Sequence, residues 1–143
     1  MITYVDTIYK PDQTTGYERP LYLESVSAGF PSPANDYIES PLDLNQHLIK
    51  HPAATFFVKA KGDSMIDAGI HSGDLLIVDR SLEVTDGKVV IAVVDGEMIV
   101  KRISIVGGRV YLMPENKDFE PIEITESIDL VIWGVVTNVV HQL

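Results

Sequence analysis

From residue 54 onward the chain is a succession of short β-type runs cut by turn signals. No stretch there carries helical periodicity long enough to compete. The runs 55–60, 75–79, 88–95, 97–103 and 109–113 are rich in β-branched and aromatic side chains. The run 130–140 closes the series. Asp95-Gly96 and Gly107-Gly108 mark tight turns, and Gly134 marks a bend or close approach within the last strand. Strands of this length with turns about every ten residues imply a mainly β body of curled, barrel-like sheets.

Residues 1–40 read differently. Pro11, Pro20, Pro31 and Pro33, with Gly16 and Gly29, leave little periodicity of either kind. Proline fixes φ, removes a donor and pushes its predecessor toward extended geometry. The expectation is an extended, partly mobile N-terminal arm over 1–40, followed by a body over 41–143. A short helix opens the body at 41–50, with Leu44 and Leu48 on one face and Pro52 as its stop.

Charge narrows the function. The chain of 143 residues carries 11 Lys+Arg against 21 Asp+Glu, a formal net charge of −10. Phosphate backbones and anionic membranes are bound by clustered basic surface, so direct sequence-specific DNA binding and membrane docking are not expected. There is no cysteine, which removes disulfides, thiol nucleophiles and thiolate metal sites. No secretory signal and no apolar run of spanning length is visible, so the expected location is cytoplasmic.

Four groups of residues could carry chemistry. His47 and His51 stand four apart, but Leu48 occupies the place where a zincin has glutamate, and no third ligand is in view. Asp63, Asp67, Asp74 and Asp79 match no calcium loop and read as turn and cap residues. Gly62 and Gly107-Gly108 do not precede a long helix, so they form no phosphate nest. No metal site and no cofactor are expected. The fourth is Ser64, in Gly62-Asp63-Ser64-Met65, at the corner after a strand. A serine there can project its hydroxyl beside backbone N–H donors, or simply serve the turn. Its base would be Lys101, which alternation places on one face with Ile99 and Ile103. Desolvation among apolar neighbours lowers a lysine pKa, whereas a lysine that snorkels to water stays charged. The adjacent Arg102 points the other way.

These residues fall into a familiar series. The segment from Phe56 to Asp67, with Lys61-Gly62-Asp63-Ser64-Met65 at its centre, resembles the nucleophile segment of the LexA/UmuD self-cleaving serine–lysine peptidases. Gly73-Asp74-Leu75-Leu76-Ile77-Val78-Asp79 is similar to the family's next strand, and Asp95-Gly96-Glu97-Met98-Ile99-Val100-Lys101-Arg102 to its lysine strand. Ala28-Gly29-Phe30-Pro31-Ser32-Pro33-Ala34 resembles its self-cleavage site.

The resemblance implies a LexA/signal-peptidase-like curled β-sheet body with an extended arm and one short helix. It implies that Ser64 is the nucleophile, that neutral Lys101 is the general base, and that the backbone N–H groups of Asp63 and Ser64 form the oxyanion hole. The scissile bond would be Ala28–Gly29. The implied trigger is the RecA–single-stranded DNA filament. The implied product is residues 29–143, a homodimer that joins a UmuC-type error-prone polymerase in translesion synthesis.

Two alternatives stand beside this reading: a non-catalytic dimeric polymerase-accessory module, and a LexA-like regulator lacking a DNA-binding domain. A signal peptidase would share the chemistry but require a membrane anchor.

Overall fold

The computed structural model describes residues 1–12, 16, 18–22 and 38–143. It divides into two compact units, Asp12–Pro52 and a larger unit that joins Met1–Pro11 to Ala53–Leu143.

The larger unit is one eight-stranded antiparallel sheet. Its strands are β1 (Tyr4–Tyr9), β4 (Thr55–Lys61), β5 (Leu75–Asp79), β6 (Val89–Val94), β7 (Glu97–Val106), β8 (Arg109–Met113), β9 (Ile122–Ile124) and β10 (Leu130–Val140). They lie in the order β1-β4-β5-β10-β6-β7-β8-β9, and a further pairing of β1 with β7 closes six of them into a ring. The curled β body expected from the sequence is present.

Each hairpin has a local cause. Asp95 and Gly96 both adopt positive φ, 48° and 87°, as a two-residue turn between β6 and β7 requires. Gly134 lies where β10 crosses β5. A Cβ there would fall 2.6 Å from Val78 Cγ1, so the two strands approach only because position 134 has no side chain. Register also slips in β10 between Ile132 and Gly134 and between Val136 and Asn138, and such bulges help curl the sheet.

Apolar residues alternate between two clusters on opposite faces. Val58, Ala60, Met65, Ile70, Leu76, Val78, Ile91 and Val100 form one. Val90, Ala92, Ile99, Ile103, Leu112 and Val135 form the other. The middle of β7 serves both, which is why Ile99, Val100, Lys101 and Ile103 are all buried. Full burial of each aliphatic side chain is worth about 1.5–3 kcal/mol relative to exposure.

The second unit pairs β2 (Glu18–Tyr22) with β3 (Ile38–Asp43) and carries helix α1 (Leu44–Leu48). Here the structure departs from two expectations. The helix is shorter than 41–50, because Pro41–Asp43 belong to β3 and Asp43 caps the helix by accepting the Asn45 N–H at 3.0 Å. Leu44 is then exposed rather than packed. The start of the arm also differs: residues 4–9 are the strand β1, whose alternating Tyr-Val-Asp-Thr-Ile-Tyr composition suits a sheet despite the prolines downstream.

Candidate active site

β4 delivers the chain to a tight corner at Gly62. Its φ is +112°, and a Cβ at this position would lie 2.4 Å from the Ile2 carbonyl oxygen. Only glycine accommodates both. Asp63 and Ser64 follow. Met65 is fully buried and anchors the corner in the core, and a short 3-10 turn, Ile66–Ala68, ends at the left-handed Gly69. The Ser64 side chain is fully buried.

A second segment braces the corner. After β8 the chain turns back so that the Glu115 N–H donates to the Ser64 carbonyl at 2.8 Å, and the Asp67 N–H donates to the Glu115 carbonyl at 2.7 Å. Asn116 Nδ2 donates to the Asp63 carbonyl at 2.9 Å. Glu115 itself pairs with Arg102 on β7. The sequence reading did not single out Glu115 or Asn116. They lie outside any strand, and only the fold carries them 50 residues back to the serine.

Lys101 sits on β7 opposite Val90 and is 1% exposed. Ile99 and Ile103 share its face and are buried with it, as alternation implied. Burial lowers the Lys101 pKa from the ordinary lysine value, since the charged form is deprived of water. Among the described residues its ammonium has no carboxylate partner; Nζ lies 5.9 Å from the centroid of the Phe119 ring. Arg102 behaves oppositely, reaching Glu115 and the Gly87 carbonyl.

The N-terminal residues connect the two. Thr3 N–H donates to Ser64 Oγ at 2.8 Å. The Thr3 carbonyl accepts from the N–H of Val100, the neighbour of Lys101, at 2.9 Å. Asp63 N–H, one of the two expected oxyanion donors, is given to the Met1 carbonyl at 3.0 Å. The Asp63 carboxylate meets the Met1 amino group at 2.7 Å, and that contact holds its pKa below the usual carboxylate range. Among the described residues, then, Ser64 Oγ is hydrogen-bonded to Thr3 and not to Lys101. Ala28 and Gly29 lie outside the described residues.

Of the histidines, His47 belongs to α1 but His51 does not. The backbone turns extended at Ile49, so the pair is not held at helical spacing. A different group converges instead. His71, Asp74 and His141 offer ligand atoms that all lie within 4.8 Å of one another. This was not legible from sequence, because 70 residues separate the two histidines.

Ser64 is thus buried at a braced corner after β4, and Lys101 is buried and desolvated on β7. The peptidase S24-like family model matches residues 20–137, and the chain belongs to this family of serine-peptidase-type hydrolases. It is 46% identical to Protein SamA of Salmonella typhimurium over 99% of this chain and 96% of SamA. It is 44% identical to Protein ImpA of Escherichia coli over 96% of this chain and 97% of ImpA. A LexA repressor, from Dechloromonas aromatica, is 40% identical over 83% of this chain and 59% of that protein. Among the described residues no helix is long and apolar enough to cross a membrane.

Proposed function

We propose that this chain is a self-cleaving serine endopeptidase of SOS mutagenesis that cuts its own Ala28–Gly29 bond. The observation that carries this reading is Lys101: a side chain 1% exposed, with no carboxylate partner for its ammonium among the described residues. A structural lysine normally keeps its charge in water or in an ion pair. One deprived of both is suited to accept a proton near neutrality.

In this mechanism neutral Lys101 takes the proton of Ser64 Oγ as that oxygen attacks the Ala28 carbonyl carbon. The backbone N–H groups of Asp63 and Ser64 stabilise the resulting oxyanion. Collapse breaks the bond to Gly29, whose nitrogen leaves as an amine with the proton returned by Lys101. Water, deprotonated by the same lysine, then hydrolyses the acyl-serine and regenerates Ser64. Small side chains at Ala28 and Gly29 suit a bond that must enter beside a buried lysine. Thirty-five positions separate Gly29 from Ser64, and such a tether holds the substrate at high effective concentration, whether the attack is within one chain or between two.

The RecA–single-stranded DNA filament acts here by favouring the conformation competent for cleavage, without donating a catalytic group. The product, residues 29–143, dimerises and serves a UmuC-type error-prone polymerase in translesion synthesis. The net charge of −10 suits a protein that reaches DNA through protein partners. The relationship to SamA, ImpA and a LexA repressor supports this assignment. The test is the intact mass of the chain before and after incubation with activated RecA filament. Fragments 1–28 and 29–143 are expected, and Ser64→Ala should yield neither.

A further inference from the structure

We infer that residues 1–3, with the strand β1 behind them, form an internal competitor that covers Ser64 and must withdraw before a scissile bond can reach it. The inference rests on the peptidase reading and adds the device that keeps the site latent. Three backbone groups of this segment make the contacts an extended peptide substrate would need. The Met1 carbonyl takes the Asp63 N–H, the Thr3 N–H engages the nucleophile oxygen, and the Thr3 carbonyl takes the Val100 N–H. A donor aimed at Ser64 Oγ ties up the lone pair that attack requires. The Ile2 carbonyl lies so close to Gly62 that no second chain fits between them.

The seat is also built to open. β1 is matched to β4 at five positions, but to β7 at only one, Tyr4 to Ile99. A hollow of about 580 Å³ lies along that thin seam, lined by Met1, Ile2, Tyr4 and Val5 on one side and Glu97, Met98 and Ile99 on the other. Thr3 is fully buried, yet its Oγ1 has no hydrogen-bond partner among the described residues. An orphaned hydroxyl weakens the closed state. The segment is thus held strongly enough to block and weakly enough to leave.

The experiment measures the rate at which a fluorophosphonate probe labels Ser64 in the full chain, located by peptide mass. Thr3→Pro removes the donor to Ser64 Oγ and should speed labelling about tenfold, as loss of one hydrogen bond from a closed state shifts its population by that order. Deletion of residues 2–9 should do at least as much, and a synthetic peptide of sequence 1–9 should slow the deleted chain again. Thr3→Val removes the orphaned hydroxyl without changing shape and should slow labelling. If all these chains label at the wild-type rate while Ser64→Ala does not label, the competitor is refuted and the peptidase reading stands. If no chain labels at Ser64, the peptidase reading fails and takes this inference with it. Should the deletion fail to fold, the opposite shifts expected of Thr3→Pro and Thr3→Val still decide.

A separate cluster carries a second proposal: we infer that His71, Asp74 and His141 bind a divalent zinc-like cation. The Asp74 carboxylate is 2% exposed, yet both its oxygens face imidazole nitrogens. His141 Nδ1 is hydrogen-bonded to Oδ1 at 2.5 Å, a contact that an ion would part and replace, and His71 Nδ1 lies 3.7 Å from Oδ2. The backbone N–H of His71 fixes Oδ2 at 2.8 Å. The two rings stand 4.9 Å apart, and both are exposed to solvent. Two imidazoles and one carboxylate form a donor set suited to zinc. Such an ion would tie the end of β10 to the loop before β5.

Calorimetric titration of the full chain with zinc chloride should show one site. His71→Ala and His141→Ala should each weaken it at least about tenfold, and His47→Ala should leave it unchanged. No binding, or binding indifferent to both His71 and His141, would overturn the assignment.

Discussion

Thr3 and Ser64 are bound to each other across 61 positions of sequence: the threonine N–H donates to the serine Oγ at 2.8 Å, and both residues are fully buried. The proposed nucleophile is therefore in its core position but engaged by the chain's own N-terminal segment. The proposed base, Lys101, follows directly after the residue whose N–H holds the Thr3 carbonyl. This arrangement separates folding of the site from its activity, and it sets the expectations below.

Removing either proposed catalytic group should abolish cleavage while leaving the fold. Ser64→Ala and Lys101→Ala should each lower the self-cleavage rate by at least about a thousandfold, as expected when one member of a nucleophile–base pair is lost. Unchanged circular dichroism would show that the loss is chemical.

Cleavage should rise with pH. Lys101 must be neutral to act as base, and burial lowers its pKa below the ordinary value of 10.5. On the acid side of that lowered pKa the rate should increase about tenfold per pH unit, then level off below pH 10.5. A rate independent of pH between 6 and 10 would remove Lys101 from the proton transfer.

Stability should follow the same group. The unfolded chain protonates Lys101 at the ordinary pKa, the folded chain only at a lower one. Between the two values the unfolded state binds more protons, so the destabilisation that comes from burying Lys101 grows as pH falls from the ordinary pKa, is complete once pH has passed below the folded pKa, and fades as pH rises. Lys101→Met should remove this dependence. It should also raise stability near neutral pH by on the order of 1 kcal/mol, more at lower pH, because no charge is then buried. Urea titrations at several pH values would measure both effects.

Gly134→Ala should destabilise the body by about 1–3 kcal/mol, the usual cost of forcing an added carbon into a packed core. Its new Cβ would meet Val78 Cγ1 at 2.6 Å and Arg80 Cγ at 3.2 Å. The midpoint of urea unfolding should fall; an unchanged midpoint would mean that β5 and β10 can separate at little cost.

Much of the body is legible in the sequence because its strands are local patterns. The runs at 75–79, 109–113 and 130–140 coincide with β5, β8 and β10, and alternation alone put Lys101 with Ile99 and Ile103. What escaped was non-local. β1 is six residues at the start of a proline-containing arm and becomes a strand only because β4 and β7 offer it partners. β9 is three residues, too short to show a period. Pro41 and Leu42 looked helical beside Leu44 and Leu48, but pairing with β2 draws them into β3. At the site, Ser64 and Lys101 could be singled out from their neighbours, whereas Thr3, Glu115 and Asn116 carry no signal apart from the fold that delivers them. The same is true of His71 and His141, which meet only because β5 pairs with β10.

The most direct measurement is the intact mass of the full chain incubated with RecA, nucleotide and single-stranded DNA. Two products are expected, residues 1–28 and the 115-residue remainder 29–143 (143 − 28), formed by the wild type and not by Ser64→Ala. An unbroken chain, a break elsewhere, or a break after Ala28 that persists in Ser64→Ala would contradict it.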